Sequence, residues 1–401
     1  MKWLIVEDAL RDQQGHWFEY ISTFQKGLQE IGDQVTILAD REAQTFILEE
    51  LKALPALPPS IWHRMSDGAN PLVRYLRLPV HGWRTVQAMK RFLATHNNYD
   101  VIFVPTVLVH HLLAWTWLIK RGLMPGQTQI ILFFPNAPVQ YDQTHQTYSW
   151  SESLTTKLLR YLLKQLTPEV QQRKVILGVE THPMQKALSF LTGLDFTYFP
   201  HPVEPILNQP SQSTPPKDSI VMASYGGARH EKGNDILYQA IAIFNQNSPD
   251  AKTQFILQCL EGFEAERELL VGFNNVEWIN RYFQPGEYAN YLQKTDVVLL
   301  PYRPASYCLR VSRVVIEAMV NGIIVLATEG TTLAEQAKEF GALVSCKNEN
   351  LINVANSIKD VIDNYQQLQS ESKQKILMSQ SHFSVKKFRD CLIEKCLEYS
   401  T

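Results

Sequence analysis

Cysteine is scarce: five in 401 residues, at Cys259, Cys308, Cys346, Cys391 and Cys396. None stands as C-x-x-C and the count is odd. That argues against a disulfide framework and fits a reducing compartment. An excess of one charge is also missing. Lys and Arg number 38 against 40 Asp and Glu, with no polybasic run, which argues against a dedicated nucleic-acid binder. No apolar run reaches the roughly 18 residues of a membrane span. The richest, Val107–Ile119, is shorter and holds two histidines. The opening MKWLIVEDAL is too short and too acidic for a signal peptide and reads as a strand. A cytoplasmic chain is therefore expected. H-E-x-x-H, G-x-S-x-G, a Walker loop, Cys/His spacing for zinc and tandem repeats are all absent.

What remains is long and apolar. At 401 residues and 45% hydrophobic content, two domains are expected. Buried strands are predicted at Trp3–Glu7, Gln34–Ala39, Asp100–Pro105, Gln129–Pro135 and Lys174–Val179. Between the first two, Phe18, Ile21, Phe24, Leu28 and Ile31 fall at helical spacing. Continuous Val/Ile/Leu strands separated by helices imply a parallel, doubly wound sheet. Six prolines then crowd Phe199–Asp218, which reads as an interdomain connection. Alternation restarts at Ser219–Ser224, Gln254–Cys259, Val276–Asn280, Asp296–Tyr302 and Gly322–Thr328. The expected fold is α/β, with Rossmann-like domains over 1–200 and 205–380. A last helix within 381–401 could pack on either. Two such domains facing each other would form a cleft, and ligands bind beyond the carboxyl ends of the strands.

Four loops follow strands and could carry chemistry. Tyr225–Ile241 places Gly226 and Gly227 ahead of Arg229 and Lys232, with a helix starting near Asn234 or Asp235. A glycine turn with two cations at a helix start suits a diphosphate. A solvated turn in which Arg229 pairs with Glu231 is the plainer reading. Ser306–Gly322 places Arg310 and Arg313 around Ser312, a natural helix cap. Glu317 follows inside an apolar helix, where a carboxylate needs hydrogen-bond donors. The hydroxyls of a ribose would serve, and so would a structural ion pair. After the first strand, Gly15 could approach a ligand, and His16 or Trp17 could touch a sugar. After a central strand, Asn136 stands between two prolines as a polar contact or a turn residue. Between Ser153 and Leu166, Lys157, Arg160 and Lys164 interleave with leucines. That pattern fits a helix packed on its own sheet or one lying at a membrane surface.

These loops together resemble the retaining nucleotide-sugar glycosyltransferases of family 4. The resemblance is strongest from Ser219 to Val344 and weaker before residue 200. GGARHEKGNDILYQAI is similar to the family's Gly-Arg…Glu-Lys-Gly motif, and VVIEAMVNGIIVLATEG to its Glu-Ala-Met segment. The resemblance implies a GT-B fold and a nucleotide-diphosphate sugar as donor, with no metal or other cofactor. It implies Arg229 and Lys232 on the donor diphosphate, Glu317 on its ribose, and acceptor contacts from the first domain near Gly15, His16, Trp17 and Asn136. The sugar, lipid or protein acceptor stays unidentified. The pattern departs at Leu309, where the family places a second Glu eight residues before the first. The Arg–Lys spacing is two residues shorter, Ile323 and Ile324 replace the usual Pro-Val, and Asn136 stands for a histidine. Tyr307, Arg310 and Ser312 could replace the missing donor contacts, beside Gly227 and Arg313. The alternative is an idle module that binds a nucleotide sugar or scaffolds a complex. An epimerase would need carboxylates or histidines in the cleft, and the sequence offers no evident set.

Overall fold

The computed structural model describes residues 1–12, 17–61, 71–142, 145, 147–206, 219–284, 286–347 and 350–397, without the side chains of 71–76 and 397. The chain forms two compact units, Met1–Pro202 with Val385–Thr401, and Val203–Ser384.

The first unit is built on β1 (Lys2–Val6), β2 (Gln34–Asp40), β3 (Leu54–Leu57), β4 (Val101–Val104), β5 (Gln129–Phe134), β6 (Val139–Asp142), β7 (Thr147–Trp150), β8 (Val175–Val179) and β9 (Phe196–Tyr198). Seven strands form one parallel sheet in the order β3-β2-β1-β4-β5-β8-β9, while β6 and β7 form a separate antiparallel ribbon. The central strands are mostly Val, Ile, Leu and Phe, as in sheets covered on both faces, and β4 is buried at every position. The second unit holds β10 (Ile220–Ser224), β11 (Thr253–Gln258), β12 (Val276–Ile279), β13 (Val297–Leu300), β14 (Ile324–Thr328) and β15 (Leu343–Cys346), parallel, in the order β12-β11-β10-β13-β14-β15.

Both orders run outward in two directions from a central strand pair. In the first unit the reversal falls between β1 and β4, and in the second between β10 and β13. Loops leaving the carboxyl ends of such a pair diverge to opposite faces and leave a crevice where ligands bind. Topology alone therefore marks the loops after β1, β4, β10 and β13.

The helix Val385–Leu397 joins the first unit. Phe388 is fully buried, its ring 4.8 Å from Phe24, 5.3 Å from Phe103 and 4.5 Å from Phe199. Arg389 Nε donates to Asp33 Oδ2 at 2.7 Å. The proline-rich connection is thus not wholly outside the core: Phe199 is fully buried against this helix. The predicted connection's remaining part, 207–218, lies outside the described residues.

In the helix Leu154–Gln165, Leu159, Leu162 and Leu163 are buried, while Leu154 and Tyr161 are exposed. These three leucines pack within the helix's own unit, chiefly beside the helix Val109–Lys120 rather than on the sheet. Among the described residues, no helix is long and apolar enough to cross a membrane.

Candidate functional site

The turn after β10 is held open by backbone geometry. Gly226 has φ +83°, and a Cβ there would come within 2.8 Å of Lys232 Nζ. A larger residue would displace that ammonium. Gly227 carries no such demand, since a Cβ would meet Leu260 at an ordinary 3.7 Å. Gly233 closes the Gly-Arg…Glu-Lys-Gly segment, but nothing in the sequence supplies a structural reason for glycine there. Its φ is +66°, and a Cβ would overlap the Pro301 carbonyl oxygen of the loop after β13. Gly233→Ala should therefore lower the unfolding free energy by about 2–3 kcal/mol, measured by urea denaturation.

Polar contacts pin the rest of the turn. Arg229 N–H donates to Asn234 Oδ1 at 3.0 Å, so Asn234 ties the turn back rather than capping the helix Asn234–Asn247. Arg303 Nε donates to the His230 carbonyl at 2.7 Å, and its Nη2 to Asp235 Oδ2 at 2.6 Å. The loops after β10 and β13 are thereby fixed to each other on both sides of the switch point.

Three cations converge on this frame. Arg229 Nη1 lies 3.5 Å from Glu231 Oε1, the pairing the plainer reading foresaw, and Arg310 Nη1 lies 3.7 Å from Glu231 Oε2. Lys232 Nζ sits 5.7 Å over the Tyr302 ring, and the Arg310 guanidinium 5.0 Å over that of Tyr307. The two phenol rings are buried and 4.5 Å apart. One carboxylate thus faces three cations and leaves a net positive turn. Burial, reinforced by the Arg229 charge, pulls the Lys232 ammonium down to about 8. A charge held at that cost favours an anion beside it.

Ser312 precedes the helix Arg313–Val320 with extended dihedrals, but its hydroxyl makes no cap bond; it engages the Tyr302 phenol instead. Glu317 is buried, and both oxygens are engaged. Arg313 Nε donates to Oε1 at 2.7 Å and Tyr288 Oη to Oε2 at 2.6 Å. Burial and then the Glu317 charge push the Tyr288 phenol well above its ordinary range, so it stays a donor. The ion pair offered as one explanation of Glu317 is present, and each oxygen keeps a second lone pair. Leu309 is buried among these elements.

The sugar-contacting candidates of the first unit come together less. Trp17 opens the helix Trp17–Glu30 and is half-buried, while Asn136 is exposed in the turn after β5. Gly15 and His16 lie outside the described residues. At this unit's switch point the structure assembles a group that sequence reading missed. Asp8, after β1, meets His81, His110 and His111 from two helices, all buried. Burial opposes its charge, yet His111 holds the Asp8 carboxyl well below its ordinary range. Burial pulls His110 down to about 2, so its ring is neutral. The four residues sit far apart in the chain, and His110–His111 had served only to argue against a membrane span.

The model of the family described as "Glycosyl transferases group 1" matches residues 206–376, most of the second unit. Over nearly its whole length the chain superposes on solved structures at low identity. A glycosyltransferase from Rickettsia africae is 13% identical with TM-score 0.67, covering 99% of each chain. Alr3699/HepE from Anabaena, solved with UDP and glucose, is 15% identical with TM-score 0.64, covering 99% of this chain and 100% of that one. Sucrose-phosphate synthase from Thermosynechococcus elongatus is 14% identical with TM-score 0.62 over the full length of both. The fold is GT-B. Compared by sequence with curated proteins, the chain matches none. The expected pair of Rossmann-like domains is thus the GT-B architecture, and the cationic turn falls within the family-matched segment.

Proposed function

We propose that the chain is a glycosyltransferase that moves a sugar from a nucleotide-diphosphate donor to an acceptor, with retention of configuration. The observation that carries this reading is the turn after β10, where Lys232, Arg229 and Arg310 surround a single carboxylate. It lies in the segment matched by the glycosyltransferase model. The Anabaena neighbour, solved with UDP and glucose, supports a uridine nucleotide as the first donor to try.

Transfer breaks the bond between the anomeric carbon and a diphosphate oxygen, and negative charge grows on that oxygen. Arg229 and Lys232 stabilise it as fixed cations, so little reorganisation is needed during the reaction. Arg310, Ser312 and Tyr307 border the same anion, with Gly227 beside it. Glu317, oriented by Arg313 and Tyr288, takes the ribose hydroxyls through its remaining lone pairs. Trp17 and Asn136 serve as acceptor contacts, as do Gly15 and His16, which lie outside the described residues. No metal takes part in the transfer step, and the reaction is cytoplasmic.

The test is donor turnover. UDP-, GDP- and ADP-sugars are screened by thermal shift, and the stabilising donor is assayed for hydrolysis and transfer. One nucleotide should raise the melting temperature and be turned over. Stabilisation without turnover by any donor would leave the idle-module reading, and neither effect would overturn nucleotide binding itself.

A further inference from the structure

We propose that Asp8, His81, His110 and His111 form a binding site for one divalent transition metal ion, with zinc the best fit, buried at the switch point of the first sheet. Nothing in the donor-site reading requires it, since all four residues belong to the first unit and the donor turn to the second.

Geometry is the first argument. Each residue offers one ligand atom, and the four atoms lie within 4.8 Å of one another. Asp8 Oδ2 is 3.0 Å from both His81 Nε2 and His111 Nε2. Ligands at about 2.0–2.1 Å in a tetrahedron are separated by about 3.3 Å, so those spacings are close to what a shared ion requires. Three imidazoles and a carboxylate suit zinc better than magnesium or calcium, which prefer oxygen.

Unsatisfied atoms are the second argument. His110 Nδ1 and Asp8 Oδ1 are buried without hydrogen-bond partners. His110 is only 3% exposed. Two orphaned polar atoms in one small volume are costly, and a cation beside them would take up those lone pairs.

The surroundings orient the ligands. Leu108 N–H reaches His111 Nδ1 at 3.2 Å, which turns His111 Nε2 toward Asp8 Oδ2 at 3.0 Å. His81 lies in the helix Pro71–Leu93, and His110 and His111 in the helix Val109–Lys120. The helices approach so closely that a Cβ on Gly82 would lie 3.1 Å from the His110 carbonyl oxygen. The ion would clamp both helices to the loop after β1.

The experiment uses the full chain, stripped with a chelator, equilibrated with Zn2+ and desalted. Elemental analysis should find about one equivalent, and the melting temperature should rise by about 5–10 °C. His81→Gln and His110→Ala should each lose the equivalent and the thermal increment, while His182→Ala, on an exposed histidine elsewhere, keeps both. A second measurement needs no variant: Co2+ added to the stripped wild type should give the visible bands of a tetrahedral nitrogen/oxygen site. Wild type that retains only a small fraction of an equivalent overturns the proposal. So does a full equivalent kept by both His81→Gln and His110→Ala, or Co2+ that shows only the weak bands of the hydrated ion.

Discussion

Lys232→Ala should lower kcat/KM for the nucleotide-sugar donor about 100-fold, the range seen when one fixed charge facing a developing oxyanion is removed. The wild type should also show a pH signature. Lys232 is lowered to about 8, first by burial and then by the Arg229 charge. It is therefore cationic below that pH and loses its charge above it. Since kcat/KM reports ionisation in the free enzyme, it should fall as pH rises through about 8. A bound diphosphate adds opposite charge and raises the lysine again, so the fall in kcat should come at higher pH. In Lys232→Ala the kcat/KM limb near 8 should vanish with the charge. A variant that keeps the limb, or an unchanged kcat/KM, would assign the diphosphate to other residues.

Arg229→Ala is expected to cost less. Arg229 is exposed and shares Glu231 with Arg310, so solvent and a second guanidinium compensate in part. The two losses should not add, because the cations act on one anion.

The strands that were legible are those whose chemistry is one-sided. All ten predicted strands are present, because strands buried on both faces read as continuous apolar runs. The missed ones are short or peripheral. Leu54–Leu57 is an edge strand containing Pro55, Phe196–Tyr198 spans three residues at the other edge, Leu343–Cys346 edges the second sheet and is buried only at its last position, and the β6–β7 ribbon is polar and partly exposed. Site residues follow the same logic. Arg229, Lys232 and Arg310 were legible because each lies a few residues beyond a recognisable strand. Gly233 was not, since what demands glycine there is a carbonyl at Pro301, far along the chain. The Asp8–histidine cluster was hidden for the same reason: residues 8, 81, 110 and 111 become neighbours only when β1 and β4 pair.

Glu317 is where sequence and structure pull apart, and its removal should have the largest effect on stability. Glu317→Ala removes the carboxylate to which Arg313, 16% exposed, and the half-buried Tyr288 donate. Breaking a buried ion pair from one side should cost about 3–5 kcal/mol of unfolding free energy. That loss alone does not separate a structural carboxylate from one that also binds ribose. The double variant Arg313→Met/Glu317→Leu does, because replacing both partners by apolar groups of similar size removes the stranded charge. Its stability should return to within about 1 kcal/mol of wild type. If Glu317 contacts the ribose, affinity for UDP, read by calorimetry, should stay at least about 10-fold weaker, the worth of one lost charged hydrogen bond. Wild-type affinity in the double variant would reduce Glu317 to a strut between the helices Glu287–Lys294 and Arg313–Val320. The donor site would then rest on the cationic turn alone.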